Sequence, residues 1–245
     1  MKVIENQVFN NLEKAITEAD QDLLIIKNVT VNAVELNPAS TTSLYGADLR
    51  RCKTVEIENF TFKATALKRK YAYGIRLGYA NTPTDANGLV KMKNSMIQGL
   101  GPASSDYNTA NRDGIALEGG ELWLKDGLIS DVSDACVDCK GNLKAKSMVF
   151  NGGYREIRIW PGKTVILSNC KVGTVWFENN TGKLILYNTP MPTLETNSGT
   201  PATAQVVVTD PLTDPWFGSK FAKLISLQEK QVALDIEFLN AYKEL

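Results

Sequence analysis

Leu122-Trp123-Leu124-Lys125-Asp126, Leu143-Lys144-Ala145-Lys146-Ser147 and Val165-Ile166-Leu167-Ser168-Asn169 share one pattern: inward apolar positions alternate with others, and a small polar residue ends each segment. Alternation of this kind is that of a strand with one buried face. Ser147 follows Asp126 by 21 residues and Asn169 follows Ser147 by 22. That period is too short for helical-hairpin repeats and fits one coil of a β-solenoid. Leu24-Ile25-Ile26-Lys27-Asn28, Val55-Glu56-Ile57-Glu58-Asn59, Val90-Lys91-Met92-Lys93-Asn94 and Leu184-Ile185-Leu186-Tyr187-Asn188 repeat the pattern on either side.

An apolar residue returns three positions after each polar marker, at Phe62, Ile97, Ile129, Phe150, Val172 and Met191. This predicts a second inward column. A third strand follows in the middle coils, at Tyr73–Leu77, Asp113–Leu117, Ala135–Cys139, Arg155–Ile159 and Gly173–Phe177. With three short strands per coil and an Asn-rich column, residues 20–195 resemble the pectate lyase-like superfamily. The resemblance implies an all-β fold, a single-stranded right-handed parallel β-helix, whose polar markers form an internal asparagine ladder. Stacked amides about 4.8 Å apart can hydrogen-bond along such a column.

The ends are expected to differ from the coils. Asn6 can cap a helix that places Val8, Leu12, Ala15, Ile16 and Ala19 on one face, so residues 1–20 are predicted to be a helix lidding the first coil. The solenoid would then occupy 21–195, a Thr-, Pro-, Ser- and Gly-rich linker 196–215, and a second helix 216–245. In that last segment Phe221, Leu224, Leu227, Gln231, Leu234, Phe238, Ala241 and Leu245 alternate three and four apart. Such spacing suits either a homo-oligomer seam or a helix folded back along the solenoid.

Composition removes several chemistries. The 245 residues are 43% hydrophobic, and 27 Lys plus Arg balance 27 Asp plus Glu. There is material for one core and no global electrostatic case for nucleic acid. No run is apolar enough for membrane insertion, and Met1-Lys2-Val3-Ile4 lacks a signal-peptide profile. With no histidine, Ser-His-Asp, Cys-His and His-zinc sites are excluded. Cys52, Cys136, Cys139 and Cys170 are too scattered for a disulfide framework. On a strand, Cys136 and Cys139 should face opposite sides, which predicts half-buried thiols instead of a metal site.

Insertions at Lys63–Ala72 and Gly99–Arg112 must project outward as walls beside the third strands; one carries the charge run Lys68-Arg69-Lys70. Aligning those strands by their inward pairs gives an outward row of Arg76, Ala116, Asp138, Arg158 and Trp176. The adjacent row reads Gly78, Glu118, Lys140, Trp160 and Glu178. Neighbouring side chains should lie about 5 Å apart, so Glu118, Asp138, Lys140 and Arg158 can share a patch, with Asp113 and Arg155 at the strand entrance. Tyr154, Trp160 and Trp176 add flat apolar faces suited to sugar rings. The bland alternative is a row of ordinary cross-strand ion pairs. A further outward row, Lys91, Lys93, Lys125, Lys144 and Lys146, can hold a polyanion or simply solvate the sheet.

The resemblance implies an acidic, uronate-containing polysaccharide as partner and lyase chemistry as the leading activity, because the family's polygalacturonases and mannuronan epimerases use a histidine. β-Elimination requires neutralising the uronate carboxylate and removing the adjacent proton. Asp113, Asp138 and Glu118 are the candidate Ca²⁺ ligands, and Lys140 or Arg158 the candidate base, with Asp138 beside them. Arg76 and Arg155 would hold substrate carboxylates, and Glu118, Tyr154, Trp160 and Trp176 would complete the substrate site. The rival expectation is a non-catalytic glycan-binding or structural module, such as part of a phage tail spike or fibre. An extracellular location or a phage particle suits either.

Overall fold

The computed structural model describes residues 1–10, 14–18, 21–34, 43–50, 52–65, 67–78, 88–106, 108–196 and 205–209. In chain order the strands are β1 (Lys2–Asn10), β2 (Lys14–Thr17), β3 (Leu23–Val34), β4 (Leu44–Asp48), β5 (Thr54–Thr65), β6 (Tyr71–Leu77), β7 (Leu89–Lys93), β8 (Met96–Gln98) and β9 (Asn111–Leu117). They continue as β10 (Glu121–Ser130), β11 (Ala135–Cys139), β12 (Asn142–Asn151), β13 (Arg155–Ile159), β14 (Thr164–Ser168), β15 (Thr174–Phe177), β16 (Lys183–Tyr187), β17 (Thr193–Thr196) and β18 (Gln205–Thr209). All pairings are parallel. Sheet A runs β1-β3-β5-β7-β10-β12-β14-β16-β18, with β8 between β5 and β10, and sheet B runs β2-β4-β6-β9-β11-β13-β15-β17. The chain therefore winds as an all-β, parallel, solenoid-like stack with its apolar core between the two sheets.

The polar markers are the corners of sheet A. Asn28, Asn59, Asn94, Asp126, Ser147, Asn169 and Asn188 all have φ between 44° and 54°. Asn and Asp tolerate this left-handed region better than other side chains. In β1, β3, β5, β10 and β12 the expected first and second strands are continuous through that corner: β10 pairs β12 over Glu121–Lys125 and again over Gly127–Ser130, omitting the corner residue itself. Asn28 Nδ2 donates to Asn6 Oδ1 at 3.0 Å and Asn59 Nδ2 to Asn28 Oδ1 at 2.8 Å. Asn188 Nδ2 likewise donates to Asn169 Oδ1.

The first rung of that ladder corrects the helix expected over residues 1–20. Residues 2–10 and 14–17 are strands, and Asn6, with φ 54°, is a corner and not a cap. Lys2-Val3-Ile4-Glu5-Asn6 is one more copy of the repeat, paired to Leu24–Lys27 of β3. Part of the expected linker is also strand, since β18 pairs β16 in register. The helix expected over 216–245 lies outside the described residues.

Sheet B is drawn close to sheet A by a column of glycines. Gly46, Gly74 and Gly114 stand opposite Phe62, Ile97 and Ile129, and a Cβ on any of them would lie within 2.6 Å of those side chains. Two consecutive positions of these strands, Gly74-Ile75, Gly114-Ile115 and Cys136-Val137, are buried. This departure from simple alternation explains why Cys136 and Cys139 are both fully buried where opposite faces were expected. Burial pushes both thiols up, Cys139 to about 12. Their sulfurs donate to backbone carbonyls, Cys136 to Ile129 and Gly152 and Cys139 to Gly141.

Candidate functional site

The register places Asp48, Arg76, Ala116, Asp138, Arg158, Trp176 and Glu195 on successive rungs of one outward row of sheet B. Tyr45, Tyr73, Asp113, Ala135 and Arg155 form the row at the strand entrance. Ala116 and Ala135 are the small residues at the middle of these rows. Around them a cleft of about 300 Å³ opens, lined by Tyr73, Arg76, Asn111, Asp113, Glu118, Asp138, Lys140, Arg158 and Trp160. The second insertion supplies Asn111 to the lining, and the two insertions are tied to each other: Arg112, buried, donates from Nε to the Arg69 carbonyl at 2.6 Å and from Nη1 to the Leu100 carbonyl at 3.3 Å. Arg69 of the charge run is itself buried.

Charge is distributed as an interlocked network. Lys140 Nζ lies 2.7 Å from Glu118 Oε2 and 3.5 Å from Asp138 Oδ2. Arg76 Nη2 approaches Glu118 Oε1 at 3.4 Å, and its Nη1 donates to the Tyr45 hydroxyl at 3.1 Å. Trp160 donates its indole N–H to Asp138 Oδ1 at 2.6 Å. Arg158 holds Glu178 Oε2 through Nε and Nη2 at 2.9 and 2.7 Å. Beside the cleft, Arg155 pairs with buried Asp134 at 2.8 Å.

Each cation also lies over an aromatic ring. Arg76 sits 5.4 Å from the Tyr73 ring, which stacks on Tyr45 at 5.5 Å. Lys140 and Arg158 lie 5.1 and 4.7 Å from the Trp160 ring, and Arg155 is shared between Tyr154 at 5.0 Å and Trp176 at 4.6 Å. Cation–π contacts of this kind strengthen as water is excluded.

Protonation follows burial and neighbours. Asp113, 3% exposed, is raised well above the ordinary carboxylate value, first by burial and then by Asp138 and Asp134, against the Ala135 N–H that it accepts. Asp134 is raised by burial although Arg155 and Arg158 oppose this. For Lys140 and Arg158, burial works to lower the value, but Asp138 together with Glu118 or Glu178 outweighs it and both end raised. Lys140 and Arg158 are thus held as cations, the reverse of what a general base needs. Burial, reinforced by Asp113, pushes the Tyr73 hydroxyl up.

Of the residues singled out in the sequence, Arg76, Glu118, Asp138, Lys140, Arg158, Trp160 and Asp113 meet in the cleft, and Tyr154, Arg155 and Trp176 form a shelf beside it. Tyr73, Asn111 and Asp134 are additions from the structure. Tyr73 and Asn111 precede the inward pairs used for alignment, so only the register across β6 and β9 brings them in. As calcium ligands the carboxylates fit poorly. Glu118 is engaged by two cations, Asp138 by Trp160 and Lys140, and no group of three acidic or thiol residues among the described residues is arranged to hold a metal ion. Comparison with family models, curated proteins and solved structures finds no significant match for this chain.

Proposed function

We propose that the chain is a right-handed parallel β-helix of the pectate lyase-like kind that binds a uronate-containing polysaccharide across the outer face of sheet B and cleaves it by β-elimination. The observation that supports this most is the pairing of cation with ring on both sides of the Ala116 rung, Arg76 on Tyr73 to one side and Lys140, Arg158 and Arg155 on Trp160 and Trp176 to the other. Rings offer apolar faces to sugars while cations fix and neutralise carboxylates.

Arg76, Lys140 and Arg158 serve as the carboxylate-neutralising groups, a role for which raised values suit the last two. The base is then a carboxylate, Asp138, oriented by the Trp160 indole. It takes the proton from the carbon beside the uronate carboxylate. The electron pair forms the new carbon–carbon double bond as the glycosidic oxygen leaves, and Asp113, whose carboxyl burial raises well above the ordinary value, supplies that oxygen with hydrogen. Ca²⁺ is not assigned a step.

Ultraviolet absorbance of the unsaturated product, followed on polygalacturonate, alginate, glucuronan and hyaluronan with and without Ca²⁺, tests the reading. A rise that disappears in Asp138→Ala and Arg158→Ala supports it. Silence on every polymer, with glycan binding retained, favours a non-catalytic module such as part of a phage tail spike or fibre. One observation supports that second reading: each cation in the cleft already has a carboxylate partner.

A further inference from the structure

The outer face of sheet A carries a second concentration of charge. Its register sets Glu56, Lys91, Trp123 and Lys144 in one row, and Glu58, Lys93, Lys125 and Lys146 in the next. Three lysines of the second row therefore stack on successive rungs, about 4.8 Å apart. Like charges directly opposite each other on neighbouring strands oppose folding. Beyond the corner on the same three coils the facing residues are neutral, Met96, Leu128 and Val149. Acids sit at the flanks of the lysines: Lys91–Glu56 at 3.6 Å, Lys93–Glu58 at 3.0 Å, Lys125–Asp126 at 3.4 Å and Lys144–Glu121 at 2.6 Å. Pairs this open to water are weak and exchange readily for another anion. A groove of about 420 Å³ runs over these rungs, with Lys27, Lys91, Lys93, Lys125 and Trp123 among its walls. Glu121 accepts the Trp123 indole N–H at 2.6 Å and Lys144 lies 4.7 Å from its ring, so the ring is fixed.

We propose that this face is a second binding site, for a linear acidic polysaccharide laid across the strands, with the lysine ammoniums meeting its anionic groups rung by rung beside the Trp123 ring. Charge density favours this occupant over duplex DNA. DNA presents one negative charge per about 1.7 Å of axis, whereas each row here offers at most one lysine per rung of about 4.8 Å, interspersed with acids that repel a dense polyanion. The site shares no residue with the cleft on sheet B and does not depend on catalysis there.

Affinity electrophoresis of the full chain at low salt, through gels containing polygalacturonate, alginate, hyaluronan or heparin, tests it, with a DNA duplex run alongside. Retardation by at least one polymer is expected for the wild type and for the cleft variant Arg158→Gln. Placed in the Arg158→Gln background, so that the sheet B cleft does not hold the polymer in their stead, Lys93→Gln/Lys125→Gln/Lys146→Gln should lose about tenfold or more in affinity, with an unchanged far-ultraviolet circular dichroism spectrum. The corresponding Lys→Arg triple should keep its affinity. Four results would overturn the proposal: no retardation by any polymer, full retardation of the Gln triple in the Arg158→Gln background, loss of retardation in Arg158→Gln alone, or tighter binding of DNA. Failure of the sheet B reading would appear separately, as absence of unsaturated product with the lysine results unaltered.

Discussion

On sheet A, Lys91 and Glu56 approach to 3.6 Å with both side chains 48% exposed; on sheet B, Lys140 and Glu118 approach to 2.7 Å with the two side chains 27% and 11% exposed. Both pairs join neighbouring coils at one rung spacing. What differs is the surroundings: an open groove with both side chains half exposed in the first case, Trp160 and a second carboxylate, Asp138, in the second. The first arrangement is screened by water. The second is drier and more crowded with charge: burial raises Asp113, and Asp138 with Glu118 raises Lys140 although burial opposes it. Identical backbone geometry thus yields an exchangeable ionic surface on one side and a fixed ionic network on the other.

The shared backbone is the first thing to break. A Cβ at Gly74 would lie 2.5 Å from Ile97 Cγ2 and 2.6 Å from the Gly114 carbonyl oxygen. Gly74→Val should therefore cost about 3 kcal/mol or more in urea melts and impair both faces together. Next comes the fixed network. Asp138→Ala strips Trp160 and Lys140 of a partner and should cost about 1–3 kcal/mol, whereas Glu56→Ala on sheet A should cost less than about 0.5 kcal/mol. Equal losses would erase the distinction between the faces.

A pH series sharpens it further. Because the folded value of Asp113 is raised, the folded state binds more protons than the unfolded one between the ordinary carboxylate value and the raised one. Stability should fall as pH rises through that window. Asp113→Asn keeps an oxygen for the Ala135 N–H and should flatten the fall, leaving the part due to Asp134. An unchanged slope would show that Asp113 does not set it. A small gain is expected from Ser147→Asn, which places the side-chain-bearing residue best suited to φ 52° at an interruption of the ladder. It should add about 0.5 kcal/mol, seen as a small rise in the urea midpoint and confined to the corner of sheet A.

The row Arg76, Ala116, Asp138, Arg158, Trp176 was legible in the sequence because inward pairs such as Ile115/Leu117 and Ile157/Ile159 fix the register of a parallel sheet uniquely. The corner column was equally plain, since eight positions share one backbone need and mostly one residue type. The first coil misled for a definite reason. Val8, Ala15 and Ile16 fall at helical spacing only because the positions of two different strands, β1 and β2, were read as one segment. Lys2-Val3-Ile4-Glu5-Asn6 carried the better signal. Electrostatic character was not legible at all: Lys140 as base or as fixed cation depends on how Asp138 and Glu118 sit around it, and only distances decide that. The same holds for Cys136, whose burial follows from a doubled inward position that alternation does not reveal.

Where the amides of the corner column are hydrogen-bonded to one another, they point the same way. At Asn28, Asn59 and Asn188 alike, the NH₂ group donates toward the rung nearer the start of the chain. The column is therefore a polar one, a run of aligned dipoles broken at Asp126 and Ser147. A coil stacked on it in the same sense continues the pattern, whereas one stacked in reverse would set like amide groups against each other, a built-in bias against reversed edge-to-edge pairing.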